Sequence, residues 1–489
     1  MTALREALAG YAGWLGYGHA ERAEAWLQRL EVNRPELEAF RAAASGGEPP
    51  YAARACTVRP ASGERDGGEP LRADAAGALD RARARADLNA FTWLPGELAA
   101  HGMGFLAGVP IAVKDLMDVA GAPLTGGSRA LDRTIPKEDA PVIARLRQAG
   151  AVVMGLANLH EVAYGITSDN PHFGRVVNPV APGRIAGGSS GGSAAAIAAG
   201  IVEAAIGTDT AGSIRIPAAC CGVAGFKPSY DALPRTGVLD LAPTLDHVGP
   251  MGRRVEHCAA LFAAMLGLDA VPPWRHASLA GRKVARLGGY FEEPLDPEVR
   301  AAVEAAAGAL AADGAQLARP EVPGIELAAA IQLNTICAEA TAVHAERLPR
   351  RGADFGEDVR VRVEIANFLP GHWYVKAQRL RSRLVAAIEA QFEGADFLLC
   401  ATMRAPAPKA GAARVAIGDR DYALHTAVTH LTLPFNLAGL PAVTLPWTMS
   451  RDGVPIGVQL VGRRGDDWAT LAAAERLQAL APWARTRKE

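Results

Sequence analysis

The stretch Gly187-Gly188-Ser189-Ser190-Gly191-Gly192-Ser193 and the later stretch Gly207-Thr208-Asp209-Thr210-Ala211-Gly212-Ser213-Ile214-Arg215 are the two glycine-rich segments around which this sequence is organised. Between them, the small residues 194–200 predict a short helix and the apolar residues 201–206 predict a strand. Glycine lets backbone N–H groups approach a ligand closely, and successive N–H groups can bind an anion. Serine beside such donors supplies what nucleophilic acyl transfer requires, an attacking oxygen and fixed donors for the developing oxyanion.

Apolar strands alternate with amphipathic helices from residue 71 onward. This alternation is typical of a mixed sheet covered on both faces, so we predict an α/β fold. Residues 325–430 are predicted to be helical and irregular, and they carry no motif that we can interpret. The predicted strands are 109–113, 151–154, 283–287, 397–399, 442–445 and 456–461, and the predicted helices are 74–88, 140–149 and one beginning at Pro297.

The first 60 residues have a different pattern from the rest of the chain. Leu4, Leu8, Tyr11 and Leu15 fall near one helical face, and a second amphipathic run surrounds Trp26. Glycine and proline at residues 46–50 then indicate a linker. We predict a short helical appendage at 1–60 and a catalytic domain at 71–489. A structural brace is the simplest role for the appendage, and a functional module is the alternative.

Composition excludes several classes of partner. The formal net charge of −1 gives no general electrostatic reason to bind nucleic acid or an acidic membrane. The apolar runs are shorter than a membrane helix requires, and the N-terminus lacks the pattern of a signal peptide, so we expect a cytoplasmic protein. The six cysteines have no zinc-type spacing and are expected to be free thiols, and we expect neither a metal nor an organic cofactor.

Several other interpretations of the glycine-serine stretch fit less well. A phosphate loop of the Walker type needs Lys-Ser or Lys-Thr after its last glycine, and a dinucleotide loop needs a preceding strand, whereas residues 178–185 are polar and rich in proline. Gly187 to Gly191 formally matches G-x-S-x-G, the nucleophile elbow of α/β-hydrolases, which also follows a strand. The missing strand argues against both of the last two interpretations.

The whole of residues 187–228 resembles the amidase signature family. Further motifs match that family in type and order, and the resemblance extends from about residue 75 to residue 480. These motifs are residues 108–115 (GVPIAVKD), 241–250 (LAPTLDHVGP), 433–441 (LPFNLAGLP) and 455–462 (PIGVQLVG). The resemblance implies a single large mixed sheet flanked by helices on both faces.

The resemblance also implies a Ser–Ser–Lys triad. Ser213 would be the nucleophile, Ser189 the bridging serine, preceded by a cis peptide bond, and Lys114 the base. Lysine is a poor base at neutral pH unless burial favours its neutral form, and the apolar strand before Lys114 would provide that burial. The oxyanion hole would be formed by the backbone N–H groups of Thr210, Ala211, Gly212 and Ser213.

Neighbouring polar residues are assigned structural roles. We expect Ser190 to form hydrogen bonds within the loop, Ser193 to cap the following helix, and Asp209 and Arg215 to pair and hold the loop. The sequence Asp246-His247 resembles a catalytic dyad, but the family pattern makes it a structural loop.

Two positions depart from the family pattern. Ala211 stands where most relatives have glycine, which adds a methyl group, restricts φ and would narrow the acyl pocket. Gly155-Leu156-Ala157-Asn158 replaces the usual Gly-Lys-Thr-Asn, so any role of that lysine is lost.

The function implied by the resemblance is hydrolysis of a small carboxamide through a seryl acyl-enzyme. One alternative is the glutaminase (A-type) subunit of a tRNA-dependent amidotransferase, which would need partner subunits. The N-terminal helices and residues 57–60 resemble the small subunit of that complex, and a small subunit fused in this way would argue for a self-contained hydrolase instead. A non-enzymatic binding role would predict a damaged triad, whereas Lys114, Ser189 and Ser213 are all present. Association as a homodimer is left open.

Overall fold

The computed structural model describes residues 6, 8–9, 22–44, 48–53, 56–63, 70–99 and 102–483. The helix predicted around residues 4–15 therefore lies almost entirely outside the described residues, as does most of the predicted polar break at 62–70. Within the described part of the chain, no helix combines the length and the hydropathy that crossing a bilayer would need.

Eleven strands form one mixed sheet, as the sequence predicts. Their order across the sheet is β1-β3-β2-β6-β8-β7-β14-β15-β11-β9-β10, so β6, which lies between the two glycine-rich segments, is an interior strand. The strands are β1 Phe91–Trp93, β2 Pro110–Lys114, β3 Val152–Ala157, β4 Asp169–Asn170, β5 Gly174–Arg175, β6 Ala204–Asp209, β7 Ala224–Lys227, β8 His247–Gly252, β9 Lys283–Arg286, β10 Gln316–Ala318, β11 Phe397–Ala401, β12 Arg414–Ile417, β13 Arg420–Ala423, β14 Ala442–Met449 and β15 Pro455–Val461, of which β4 with β5 and β12 with β13 form two separate ribbons.

Helices cover both faces of this sheet. On β2, Ile111 and Val113 belong to one buried cluster and Ala112 to another, because successive side chains on a strand point to opposite faces. The α-helices of the described residues are α1 Ala23–Val32, α2 Arg34–Ala42, α3 Ala75–Ala84, α4 Pro141–Gln148, α5 Gly191–Ala198, α6 Arg215–Cys221, α7 Val255–Leu266, α8 Pro297–Ala312, α9 Ala328–His344, α10 Leu348–Arg351, α11 Glu357–Ile365, α12 Gly371–Ala390, α13 Leu424–Thr429, α14 Leu433–Ala438 and α15 Asp467–Leu480. The region 325–430 is thus mainly helical, as predicted, and it also holds β11 and the β12–β13 ribbon.

Helices α1 and α2 pack on the helices of residues 357–390. The Trp26 ring lies 4.9 Å from that of Phe368 between centroids, and its indole N–H donates to Glu364 Oε2 at 2.7 Å. The Phe40 ring lies 5.4 Å from that of Trp373. Because Trp26 and Phe40 are both fully buried, helices α1 and α2 form part of the hydrophobic core.

Candidate active site

Lys114 is the last residue of β2, which lies beside β6 in the interior of the sheet. The two strands are parallel neighbours with Val113 opposite Ile206, so Lys114 and Thr208 lie close together near the C-terminal ends of these strands. The Lys114 side chain is fully buried, and Nζ lies 2.7 Å from Ser189 Oγ and 2.7 Å from Thr208 Oγ1. The sequence analysis did not predict the contact of Thr208 with Lys114. The position of Thr208, two residues after Ile206 on the same strand, could have indicated it.

The environment of Lys114 favours its neutral form. Burial lowers the pKa of this amine from 10.5 to about 7, and the charges of Asp209 and Asp246 oppose that effect. An amine with a pKa near 7 can accept a proton at neutral pH. The structure therefore gives Lys114 the property that a general base requires.

The two serines of interest lie on adjoining loops. The Gly188–Ser189 peptide bond is cis, in agreement with the resemblance. Ser190 N–H donates to the Ser213 carbonyl oxygen at 3.2 Å, which joins the loop of Ser189 to the loop of Ser213. Ser189 is fully buried and Ser213 is 5% exposed, so of the two hydroxyl-bearing residues only Ser213 is in contact with solvent.

A buried ion pair holds the loop that carries Ser213. Arg215 Nη2 lies 3.0 Å from Asp209 Oδ1, and neither side chain is exposed. Arg215 also donates to Asn436 Oδ1 at 2.6 Å and to Gln459 Oε1 at 3.0 Å. Burial alone would raise the pKa of Asp209, but Arg215 outweighs burial and the pKa lies below its usual range. The predicted structural pairing is confirmed.

The backbone N–H groups before Ser213 are not equivalent. Gly212 N–H donates to Asp209 Oδ1 at 2.8 Å, so it is not free for a substrate oxygen, in contrast to the expectation from the sequence. The N–H groups of Ala211 and Ser213 donate to no acceptor among the residues that the structure describes. The Thr210 carbonyl accepts from Gln332 Nε2 at 3.4 Å, which fixes the peptide at the start of this turn.

The pair Asp246 and His247 does not form a dyad. Asp246 accepts from Thr210 Oγ1 at 2.6 Å and from two backbone N–H groups, and burial raises its pKa to about 7. His247 Nδ1 lies 2.7 Å from the Leu245 carbonyl oxygen, and burial, with the charge of Lys227, lowers the pKa of its ring. Asp246 thus supports the Thr210 turn, and His247 begins β8 rather than lying in a loop.

Two predictions about the first loop have different outcomes. Ser190 exchanges hydrogen bonds with the backbone of Thr208, as expected for a residue that holds the loop. The prediction that Ser193 caps helix α5 is wrong, because Ser193 lies inside that helix and donates to the Ile206 carbonyl oxygen at 3.0 Å. It fastens the helix to β6 instead.

The described part of the chain holds no group of three or more His, Cys, Asp or Glu side chains placed to bind a metal ion. The six cysteines are free, five of them buried and Cys56 partly exposed.

Comparisons with known proteins agree with this fold and motif set. The amidase family model matches residues 81–471. The chain is 38% identical over 416 residues to AtzE, which is one subunit of the 1-carboxybiuret hydrolase of Pseudomonas sp. (strain ADP), with 82% of this chain and 89% of that protein covered. It is 35% identical over 445 residues to the A subunit of the glutamyl-tRNA(Gln) amidotransferase of Roseiflexus castenholzii, with 84% of this chain and 88% of that protein covered. A crystal structure of an amidase, 35% identical, superposes with a TM-score of 0.77 over 83% of this chain and 94% of its own. The chain therefore belongs to the amidase signature family of amide-cleaving enzymes.

Proposed function

We propose that this protein is an amidohydrolase that cleaves a small carboxamide through a seryl acyl-enzyme, with Ser213 as nucleophile, Ser189 as proton relay and Lys114 as base. The observation that carries the proposal is the contact of 2.7 Å between Ser189 Oγ and the amine of Lys114, whose pKa burial lowers to about 7. A neutral buried amine in contact with a serine hydroxyl is the starting state that proton abstraction requires.

The proposed reaction moves one proton along this chain of groups. Lys114 takes the proton of Ser189, and Ser189 takes that of Ser213 as the Ser213 oxygen attacks the carbonyl carbon. The same route then runs in reverse, so that the departing nitrogen leaves as ammonia or an amine. Water repeats the sequence on the acyl-enzyme and releases the carboxylic acid.

The developing oxyanion needs donors that no protein acceptor already occupies. The N–H groups of Ala211 and Ser213 meet this requirement among the described residues, and Thr210 N–H remains a third proposed donor. Gly212 is left out because Asp209 occupies its N–H. Each such donor is worth about 10²–10³ in rate in other acyl-transfer enzymes.

The glutaminase component of a tRNA-dependent amidotransferase is the second candidate, favoured by the 35% identity to the A subunit from Roseiflexus castenholzii. Contacts of the N-terminal segment favour a self-contained hydrolase instead. Tyr51 N–H donates to the Gln378 carbonyl oxygen at 3.0 Å, and Arg59 N–H to that of Gly465 at 2.8 Å. If this segment takes the place of the small subunit that it resembles, the chain needs no separate one.

Ammonia release by the purified chain tests both candidates. We expect turnover of at least one amide in a panel of aliphatic, aryl and urea-derived compounds, without added protein, and loss of both turnover and fluorophosphonate labelling in Ser213→Ala. Labelling that persists in Ser213→Ala but disappears in Ser189→Ala would make Ser189 the nucleophile, as in the nucleophile elbow of α/β-hydrolases. Glutamine hydrolysis that requires added subunits would favour the amidotransferase. Light scattering of the same sample tests whether the chain forms a homodimer.

A further inference from the structure

The turn before Ser213 begins at Thr210, and side chains from other parts of the chain hold both polar ends of this residue. Its hydroxyl donates to Asp246 Oδ1 at 2.6 Å, and its carbonyl oxygen accepts from Gln332 Nε2 at 3.4 Å. Thr210 and Asp246 are both buried. The bond to Asp246 is the shorter of the two and has a carboxyl acceptor, so it is the stronger tether on the turn.

The carboxyl group of Asp246 is itself fixed. Its second oxygen, Oδ2, accepts from the backbone N–H groups of Leu241 at 2.8 Å and Ala242 at 2.9 Å. The Asp246 N–H donates back to the Ala242 carbonyl oxygen at 2.9 Å, which closes a tight turn just before β8. Strand β8 pairs with β6, the strand that leads into Thr210. Asp246 therefore offers Thr210 an anchor that is held by the backbone on its other side.

This tether acts on the backbone donors that follow it. The N–H groups of Ala211 and Ser213 are donors proposed for the oxyanion, and the Gly212 N–H between them is already bonded to a carboxylate. Donors stabilise a developing charge best when they are in place before the reaction, because reorientation costs free energy. The bond at Gly212 fixes the turn on one side of Ala211, and the bond between Thr210 and Asp246 fixes it on the other.

The charge of Asp246 also acts on Lys114. Ionised Asp246 raises the pKa of this amine, against the larger effect of burial. Burial in turn raises the pKa of Asp246 to about 7, and the hydroxyl of Thr210 opposes that effect. The carboxylate is therefore charged above neutral pH, where Lys114 loses its proton. The charged and titratable groups of this neighbourhood are Lys114 of β2, Asp209 of β6, Arg235 and Asp240 of the preceding loop, Tyr230, and the adjoining His247.

We propose that Asp246 is a positioning residue of the hydrolysis: through Thr210 its carboxylate fixes the turn that carries the oxyanion donors, and its charge acts on Lys114. This inference rests on the proposed hydrolase function. A carboxylate accepts from the backbone with one oxygen and from the hydroxyl with the other. The amide of asparagine has a single oxygen, so it can keep both contacts only by donating its N–H to the Thr210 hydroxyl, and it carries no charge.

The rate of labelling by a fluorophosphonate, measured across pH, tests the proposal without a known substrate. Thr210→Val removes the hydroxyl and keeps the charge of Asp246, so we expect the plateau rate to fall about 10- to 100-fold while the rising limb stays at the same pH. Asp246→Asn removes the charge, so its rising limb should move to lower pH. Thr210→Ser should recover most of the loss. Asp269→Asn, at an exposed residue after α7, is the matched control and should change neither quantity.

A double-variant cycle tests whether Thr210 and Asp246 act together. A neutral amide bonds the Thr210 hydroxyl more weakly than a carboxylate does, so Thr210→Val should cost less in the Asp246→Asn background than in the wild type. An equal cost in both backgrounds would show that the hydroxyl acts without Asp246, and this result overturns the proposal. A rising limb that does not move in Asp246→Asn overturns it as well.

The outcomes separate this inference from the proposed function. A wild-type chain that is not labelled, or labelling that survives Ser213→Ala, overturns the hydrolase mechanism. Labelling that Ser213→Ala abolishes, with an unchanged rate in Thr210→Val, overturns only the positioning role of Asp246. If Asp246→Asn does not fold, Thr210→Val and Thr210→Ser decide the question, and equal rates in these two variants overturn the proposal.

Discussion

The pH dependence of kcat/KM is the most direct test of Lys114 as the base. Burial brings the pKa of this amine from 10.5 to about 7, a difference that corresponds to about 5 kcal/mol at 1.36 kcal/mol per pKa unit. Because the neutral amine is the active form, kcat/KM for an uncharged amide should fall about tenfold for each pH unit below that value and level off above it. Lys114→Ala should lower kcat/KM by about 10²–10⁴-fold, and the remaining activity should no longer depend on pH in this way.

Stability provides a measurement of the same pKa that does not depend on turnover. The unfolded chain holds the Lys114 proton up to about pH 10.5, whereas the folded chain releases it near 7. Between these values the unfolded state binds more protons, so the contribution of Lys114 to the free energy of unfolding rises with pH. Lys114→Met removes this contribution. The free energy of unfolding of Lys114→Met, measured in urea, should therefore exceed that of the wild type by the largest amount near and below neutral pH. This difference should shrink as the pH approaches 10.5.

Substitutions at two other positions complete the test. Lys114→Arg should not restore activity, because a guanidinium keeps its proton. A histidine base would also give a rising limb near neutral pH, so the variants decide the question. His247 has Nδ1 against the Leu245 carbonyl oxygen, and among the described residues its ring forms no hydrogen bond to either serine, so His247→Ala should keep the rising limb. Near-parental activity in Lys114→Ala with loss in His247→Ala would refute the assignment.

Three further predictions concern the support of the site and the appendage. Thr208→Val removes the second hydroxyl on the Lys114 amine and should lower kcat about tenfold at unchanged KM in steady-state kinetics, and an unchanged kcat would contradict a positioning role. Arg215→Met leaves Asp209 buried without its cation and should lower the free energy of unfolding by about 3–5 kcal/mol, measured in urea. Deletion of residues 1–60 removes buried Trp26 and should lower stability but preserve fluorophosphonate labelling, so loss of labelling in a variant that is folded by circular dichroism would show that the segment builds the catalytic centre.

Strong local patterns explain how much of the fold the sequence predicts. The predicted bounds of strand β2 and helix α4 agree with the structure within one residue at each end, because an unbroken apolar run and a proline at the first helical turn mark them. Strands β7 and β8 were missed because glycine and proline interrupt their apolar residues. Their strand conformation depends on pairing with β6 and β14, and sequence periodicity does not report such contacts.

The sequence likewise predicts some features of the candidate site and not others. The resemblance implied Lys114, Ser189 and Ser213 as the triad, but it could not indicate that Asp209 occupies the N–H of Gly212, because that depends on where a loop folds back. At the second departure from the family pattern, Leu156 stands in place of the usual lysine and is fully buried within β3.

The turn before Ser213 shows why the two neighbouring small residues are not interchangeable. Gly212 has φ +127°, and a Cβ built there would lie 2.3 Å from Thr432 Oγ1, so no other residue fits without displacing Thr432. Ala211 is not among the described residues with positive φ, and the restriction that alanine places on φ therefore costs nothing there. Its carbonyl oxygen accepts from the same Thr432 hydroxyl at 2.6 Å. Thr432 thus requires glycine at one position and accepts alanine at the other, which allows the departure at Ala211 to leave the backbone donors in place. The same hydroxyl lies 2.9 Å from the Thr429 carbonyl oxygen, so Thr432 also ties the turn before Ser213 to the end of helix α13.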